Sequence, residues 1–164
     1  MIAAALVAIV VGDGPNGPVH AVNVMTPADN RVVVIEDYSI RAAFSVLPNM
    51  TGFPDVERTD TGFTVYAGCD VCGSMGVVNE YKFASRGGDY VLAGFTQTMN
   101  DRLSASVTVC DVNLLTGRVE IGDHPSEGAS TTRSVMVAER AIAASALPPN
   151  YVVPICQDVS PRRD

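Results

Sequence analysis

Val77-Val78-Asn79-Glu80-Tyr81-Lys82-Phe83-Ala84 is followed by the turn Arg86-Gly87-Gly88-Asp89, then by Tyr90-Val91-Leu92-Ala93-Gly94-Phe95 and later by Leu103-Ser104-Ala105-Ser106-Val107-Thr108-Val109-Cys110. In the first of these, Val77, Asn79, Tyr81 and Phe83 share one parity, and Val78, Glu80, Lys82 and Ala84 the other. A period of two between glycine-bearing turns predicts an antiparallel meander with one face on a core. The expected fold is therefore mainly β, a curled sheet or sandwich.

Other segments extend that reading in both directions. Arg31-Val32-Val33-Val34-Ile35 is a β-branched strand. Arg41 to Leu47 reads as a further strand or as a short helix through Ile40–Phe44. Thr61 to Ala67 is a strand with Phe63, Val65 and Ala67 on one face. Asn113 to Arg118 turns the third meander strand into Val119-Glu120-Ile121, with Gly117 free to take positive φ. Ser134 to Leu147 is alanine-rich, has Ser134 as an N-cap and Pro148-Pro149 as a stop, and predicts one C-terminal helix. Tyr151 to Cys156 is expected to be extended, with Pro154 placing it at an edge.

In the third meander segment, Leu103, Ala105, Val107 and Val109 form the expected apolar stripe. Cys110 belongs to the opposite parity, with Ser104, Ser106 and Thr108, on a face that becomes apolar at Val112 and Leu114. From there a disulfide can reach a covering loop or the C-terminal tail.

At 164 residues the chain can bury a core unaided, and residues 22–164 are expected to form a single domain. Hydrophobic content of 47% against 18% charged places it among ordered globular chains. A formal charge of −7 with scattered basic residues repels phosphate backbones, so nucleic acid is not an expected partner.

Ile2 to Val11 is an unbroken apolar run, too short to span a membrane and of signal-peptide length. Val19-His20-Ala21 offers small residues for a cut after Ala21, so residues 1–21 read as a signal peptide, although no basic residue precedes the run. The alternative is a buried first strand closed by the Gly/Pro-rich segment after Val11. Export predicts a periplasmic or secreted protein without an integral membrane span. The even count of four cysteines, Cys69, Cys72, Cys110 and Cys156, agrees with an oxidising compartment. Three pairings are open; a bridge from Cys156 would tie the tail back to the sheet and stabilise by about 2–4 kcal/mol.

Each chemical motif meets a simpler structural explanation. Cys69-Asp70-Val71-Cys72 has thioredoxin-like spacing, but that chemistry needs the cysteines at a helix N-terminus, and Gly73-Ser74-Met75-Gly76 is a poor helix start. Zinc needs two close ligand pairs, and neither Cys110 nor Cys156 has one. A Cys72 or Ser74 nucleophile lacks an imidazole, since only His20 and His124 exist and His20 would leave with the signal. Asp55, Glu57 and Asp60 lack calcium-loop spacing. No metal and no cofactor is expected, and no catalytic residue is assigned.

Gly62 to Ile121 resembles an uncharacterised exported proteobacterial β-rich domain. The shared features are a Gly-rich loop, the strand "NEYKF", a Gly-Asp hairpin into "DYVLAGFTQTMNDR" and, most specifically, the strand end Asp111-Val112-Asn113-Leu114-Leu115-Thr116-Gly117-Arg118. The resemblance implies an exported β-rich domain with no established activity, and it carries over no catalytic residue. Cys69, Cys72 and Cys110 depart from that pattern, and imply a disulfide-braced version.

The expected function is non-catalytic binding of a protein or cell-envelope component by an inhibitor- or immunity-type protein, as a monomer or small homo-oligomer. A thiol-disulfide or hydrolytic enzyme using the Cys69/Cys72 loop is the competing reading. Two loops are the candidates for binding: Gly68–Gly76, carrying Asp70, Ser74 and Met75, and Gly122–Arg133, carrying His124 and Glu127. The cysteine loop is preferred, because pre-organisation lowers the ordering cost of binding.

Overall fold

The computed structural model describes residues 5–7, 22–26, 31–36, 39–47 and 54–159. The expected signal peptide lies outside these residues except for Ala5–Val7, which form a strand.

The described residues form two antiparallel sheets. The smaller contains β1 (Ala5–Val7), β2 (Val22–Thr26), β3 (Arg31–Glu36) and β4 (Ser39–Ser45), in that spatial order. The larger contains β5 (Asp55–Thr59), β6 (Gly62–Cys69), β7 (Met75–Arg86), β8 (Asp89–Asp101), β9 (Ser106–Asn113), β10 (Arg118–His124) and β11 (Thr131–Met136), each paired to its sequence neighbour. A two-residue strand, β12 (Ile142–Ala143), pairs with Leu92 and Val91 of β8, beyond the point where β9 turns away at Gly94. The structure is mainly β, the sheets are antiparallel, and the large sheet does not close into a barrel.

Alternation decides what faces inward. Phe63, Val65 and Ala67 of β6, Tyr81 and Phe83 of β7, and Leu92 and Phe95 of β8 are buried. So are Cys110 and Val112 of β9 and Val119 and Ile121 of β10. Val32 and Val34 of β3 and Ala42 and Phe44 of β4 close the same core, with Phe44 packed 4.9 Å from Phe83. A bulge between Lys82 and Phe83, opposite Ala93, keeps both ends of the long β7–β8 pair in phase with the core.

Polar groups inside this core are satisfied by one another. The Gln97 amide donates to Asn79 (3.0 Å), the Asn79 amide donates to the Tyr81 hydroxyl (3.4 Å), and Tyr81 donates to the Tyr151 carbonyl (2.9 Å). Burial pushes the Tyr81 hydroxyl up to about 12, offset in part by the Asn79 hydrogen bond. The tail that Tyr81 holds is also held covalently by the buried Cys110–Cys156 disulfide, across a sequence separation of 46.

Three expectations are corrected. The helix expected over Ser134–Leu147 is absent. Residues up to Met136 lie in β11, Val137 donates to Gly117 (2.8 Å), Ala141 donates to Leu114 (3.1 Å), and only Ala144–Ala146 make a 3-10 turn. Its alanine-rich part is shorter than the ~12–15 residues a helix needs by propensity alone, and sheet partners take its backbone groups instead. Among the described residues the one α-helix is α1 (Pro154–Gln157), where Pro154 begins a helical turn rather than marking a strand edge. Third, Leu103 and Ala105 precede β9 and are exposed, so the core face of β9 is the Cys110 parity with Ser106, Thr108, Val112 and, just past the strand, Leu114. Among the described residues, no helix is long and apolar enough to cross a membrane.

Candidate functional site: a loop surface at one end of the large sheet

In an antiparallel meander alternate connections fall at the same end. The β6–β7 connection (Asp70–Ser74), the β8–β9 connection (Arg102–Ala105) and the β10–β11 connection (Pro125–Ser130) therefore stand side by side. Both loops singled out in the sequence lie here, with a turn between them that the sequence did not single out.

The first loop is fixed by the Cys69–Cys72 disulfide, whose Cα atoms are 5.5 Å apart. Gly73 takes φ +81°. A side chain at Gly76 would collide with the Asp70 carbonyl oxygen folding back over it, so the tight re-entry into β7 requires glycine. The β8–β9 turn is stitched to this loop. The Arg102 amide donates to the Ser74 carbonyl (2.9 Å), its guanidinium reaches the Val71 carbonyl (3.4 Å), and Asn100 donates to the Asp70 carboxylate. Inside the turn, the Leu103 amide donates to buried Asp101 (3.0 Å), the Ser104 and Ser106 hydroxyls pair at 2.7 Å, and Ala105 is held at φ +50°. Leu103 in this turn is 80% exposed, and Val71 in the disulfide-closed loop is 45% exposed. A 300 Å³ depression lies between the two connections, lined by Asp70, Asn100, Arg102 and Val107.

The third connection adds polar groups. Thr108 donates to Asp123 (3.0 Å), and His124 Nδ1 lies 3.0 Å from the Ser130 hydroxyl. A smaller cavity of 110 Å³ is lined by Thr108, Asp123, His124, Pro125 and Thr131. Asp70 and Ser74 are exposed in the first loop and His124 and Glu127 in the third, whereas Met75 begins β7 and packs against the core. The loop expected over Gly122–Arg133 is shorter than its range, because β10 extends to His124 and β11 begins at Thr131.

Val71, Arg102 and Leu103 were missed by sequence reasoning, which placed Leu103 inside a strand. The available signal was Asn100-Asp101-Arg102-Leu103-Ser104, where an Asp side chain can cap the amide two residues on and break the strand.

Cys69 and Cys72 are joined to each other in a hairpin connection, not placed at a helix N-terminus where a thiolate would be stabilised. The His124–Ser130 pair has no carboxylate orienting the imidazole among the described residues. No group of three or more His, Cys, Asp or Glu able to hold a metal occurs among them either. The outer face of the sheet is internally paired, with Lys82 contacting Thr96 (2.7 Å) and Asp111 (3.1 Å), and Arg118 contacting Glu120 (2.5 Å). What the loop end offers is a braced shape with apolar tips and a cation. No protein-family profile, curated protein or solved structure matches the chain.

Proposed function

We propose that this protein is an exported, disulfide-braced, non-catalytic binding domain that recognises another protein, or a component of the cell envelope, through the loop end of its large sheet. The observation that carries the reading is the Leu103 turn. An 80% exposed leucine stands in a turn whose preceding residue, Arg102, is hydrogen-bonded to the Ser74 and Val71 carbonyls of the disulfide-closed loop. Exposed apolar side chains on an ordered scaffold cost little entropy to bury, which is the economy of a binding hot spot. Oxidised Cys69–Cys72 and Cys110–Cys156 support the exported part, because such bridges persist in oxidising compartments. The domain resemblance noted over Gly62–Ile121 belongs to this same proposal.

A photo-crosslinking side chain at position 103, expressed in the native host, tests it. The expected result is one discrete adduct that is absent when the probe stands at Ile40, an apolar residue 68% exposed on the smaller sheet. Matching adducts at both positions, or none at 103, would reject the loop end as a binding surface.

A further inference from the structure

The large sheet ends on β5 at one side and β11 at the other, and the two edges are built differently. Strand edges present unpaired N–H and C=O groups, which proteins protect with charges, proline or bulges. β5 follows that rule: Pro54 precedes it, and Asp55, Glu57 and Arg58 lie along it. β11 does not. Its sequence Thr131-Thr132-Arg133-Ser134-Val135-Met136 has one charge, no proline and no glycine, and its six-residue register with β10 runs without a bulge. All six residues are exposed, with Met136 at 69%.

We infer that β11 pairs with the β11 of a second copy of this chain, antiparallel and centred on Ser134, so that the two large sheets run on as one. Directly opposed residues in a two-fold antiparallel pair share a face, so the pairing must be centred on a residue. Centring on Arg133 would set two guanidiniums face to face, which opposes pairing. Centring on Val135 would carry the pairing past Met136 and leave the start of β11 unpaired. Centring on Ser134 places Ser134 against its own copy, Arg133 against Val135 of the other copy, and Met136 against Thr132. No like charges then stand opposed, and both exposed apolar residues of the strand gain a neighbour. Each copy carries a formal charge of −7, so association strengthens with added salt.

Two measurements on the full chain test this. Sedimentation should show a concentration-dependent dimer, and Val135→Lys, which sets a lysine opposite Arg133 of the other copy, should weaken it roughly tenfold. At concentrations where the chain is monomeric the melting temperature should not move, since Val135 is already at the solvent edge. Ser134→Cys should be joined to its copy by a short bis-maleimide linker, because the two Cβ atoms lie about 5 Å apart. Thr132→Cys should not, since its copies are offset by about 14 Å along the strands. A monomer at all concentrations would overturn the inference, as would equal cross-linking by both cysteine variants. A dimer unaffected by Val135→Lys would show that the copies associate elsewhere, and would overturn it too.

Discussion

The two disulfides of this protein share a chemistry and differ in place. Cys110–Cys156 is buried, joins β9 to the tail, and spans a sequence separation of 46. Cys69–Cys72 lies at the tip of a hairpin, spans three, and has Cys72 open to solvent. A cross-link stabilises by removing closure entropy from the unfolded chain, and that entropy grows with the loop closed. The long bridge can therefore hold the fold together. The short bridge has little to remove, and its effect falls on the shape of the loop that carries Val71 and receives Arg102. One bridge serves stability and the other serves the candidate surface.

Breaking the buried bridge gives the largest expected effect. A Cys110→Ala, Cys156→Ala double variant should lose about 4 kcal/mol in urea unfolding. A loss under about 1 kcal/mol would remove the distinction between the two bridges.

The Tyr81 hydroxyl fastens the same tail without covalent chemistry, so Tyr81→Phe should cost about 1–3 kcal/mol by leaving the Tyr151 carbonyl short of a donor. The pH dependence follows from its raised folded-state value of about 12. An unfolded tyrosine ionises near its ordinary value of about 10, whereas the folded one remains protonated. Between those values the unfolded chain binds fewer protons, so stability falls as pH rises from about 10 to about 12. Tyr81→Phe should flatten that decline, and an unchanged slope would assign it to other groups.

Breaking the exposed bridge should do least to stability and most to the loops. Cys69→Ser with Cys72→Ser should cost less than about 2 kcal/mol. Amide exchange should rise across residues 70–74 and 102–105 while β9 stays protected. Equal exchange gains in β9 would mean that the short bridge also holds the core. Replacing Leu103 by serine should leave stability within about 0.5 kcal/mol, since the side chain touches little of the fold.

The legibility of these features in the sequence follows their physics. Strict alternation in Val77–Ala84 and Gly62–Ala67 identified strands and their buried faces, because a period of two has only one buried parity. Alternation failed at Leu103–Cys110. The first residues of that stretch lie in a turn, and the buried hydroxyls of Ser106 and Thr108 are satisfied by Ser104 and Asp123, partners that a linear reading does not bring together. Helix propensity failed at Ser134–Leu147 for a related reason: Gly117 and Leu114 supply backbone acceptors from a distant hairpin. The two candidate loops were visible as turn chemistry. Their shared end, and the leucine between them, became visible only once strand order was known.

The most direct measurement is thiol mapping of the protein recovered from its native host. Alkylate without reduction, then after mild reduction of the folded chain, then after unfolding, and locate the labels by peptide mass. The account predicts no label at first, Cys69 and Cys72 labelled after mild reduction, and Cys110 and Cys156 labelled only on unfolding. Four free thiols at the outset would contradict both the bridges and the oxidising compartment. Simultaneous labelling of all four after mild reduction would contradict the separation of their roles.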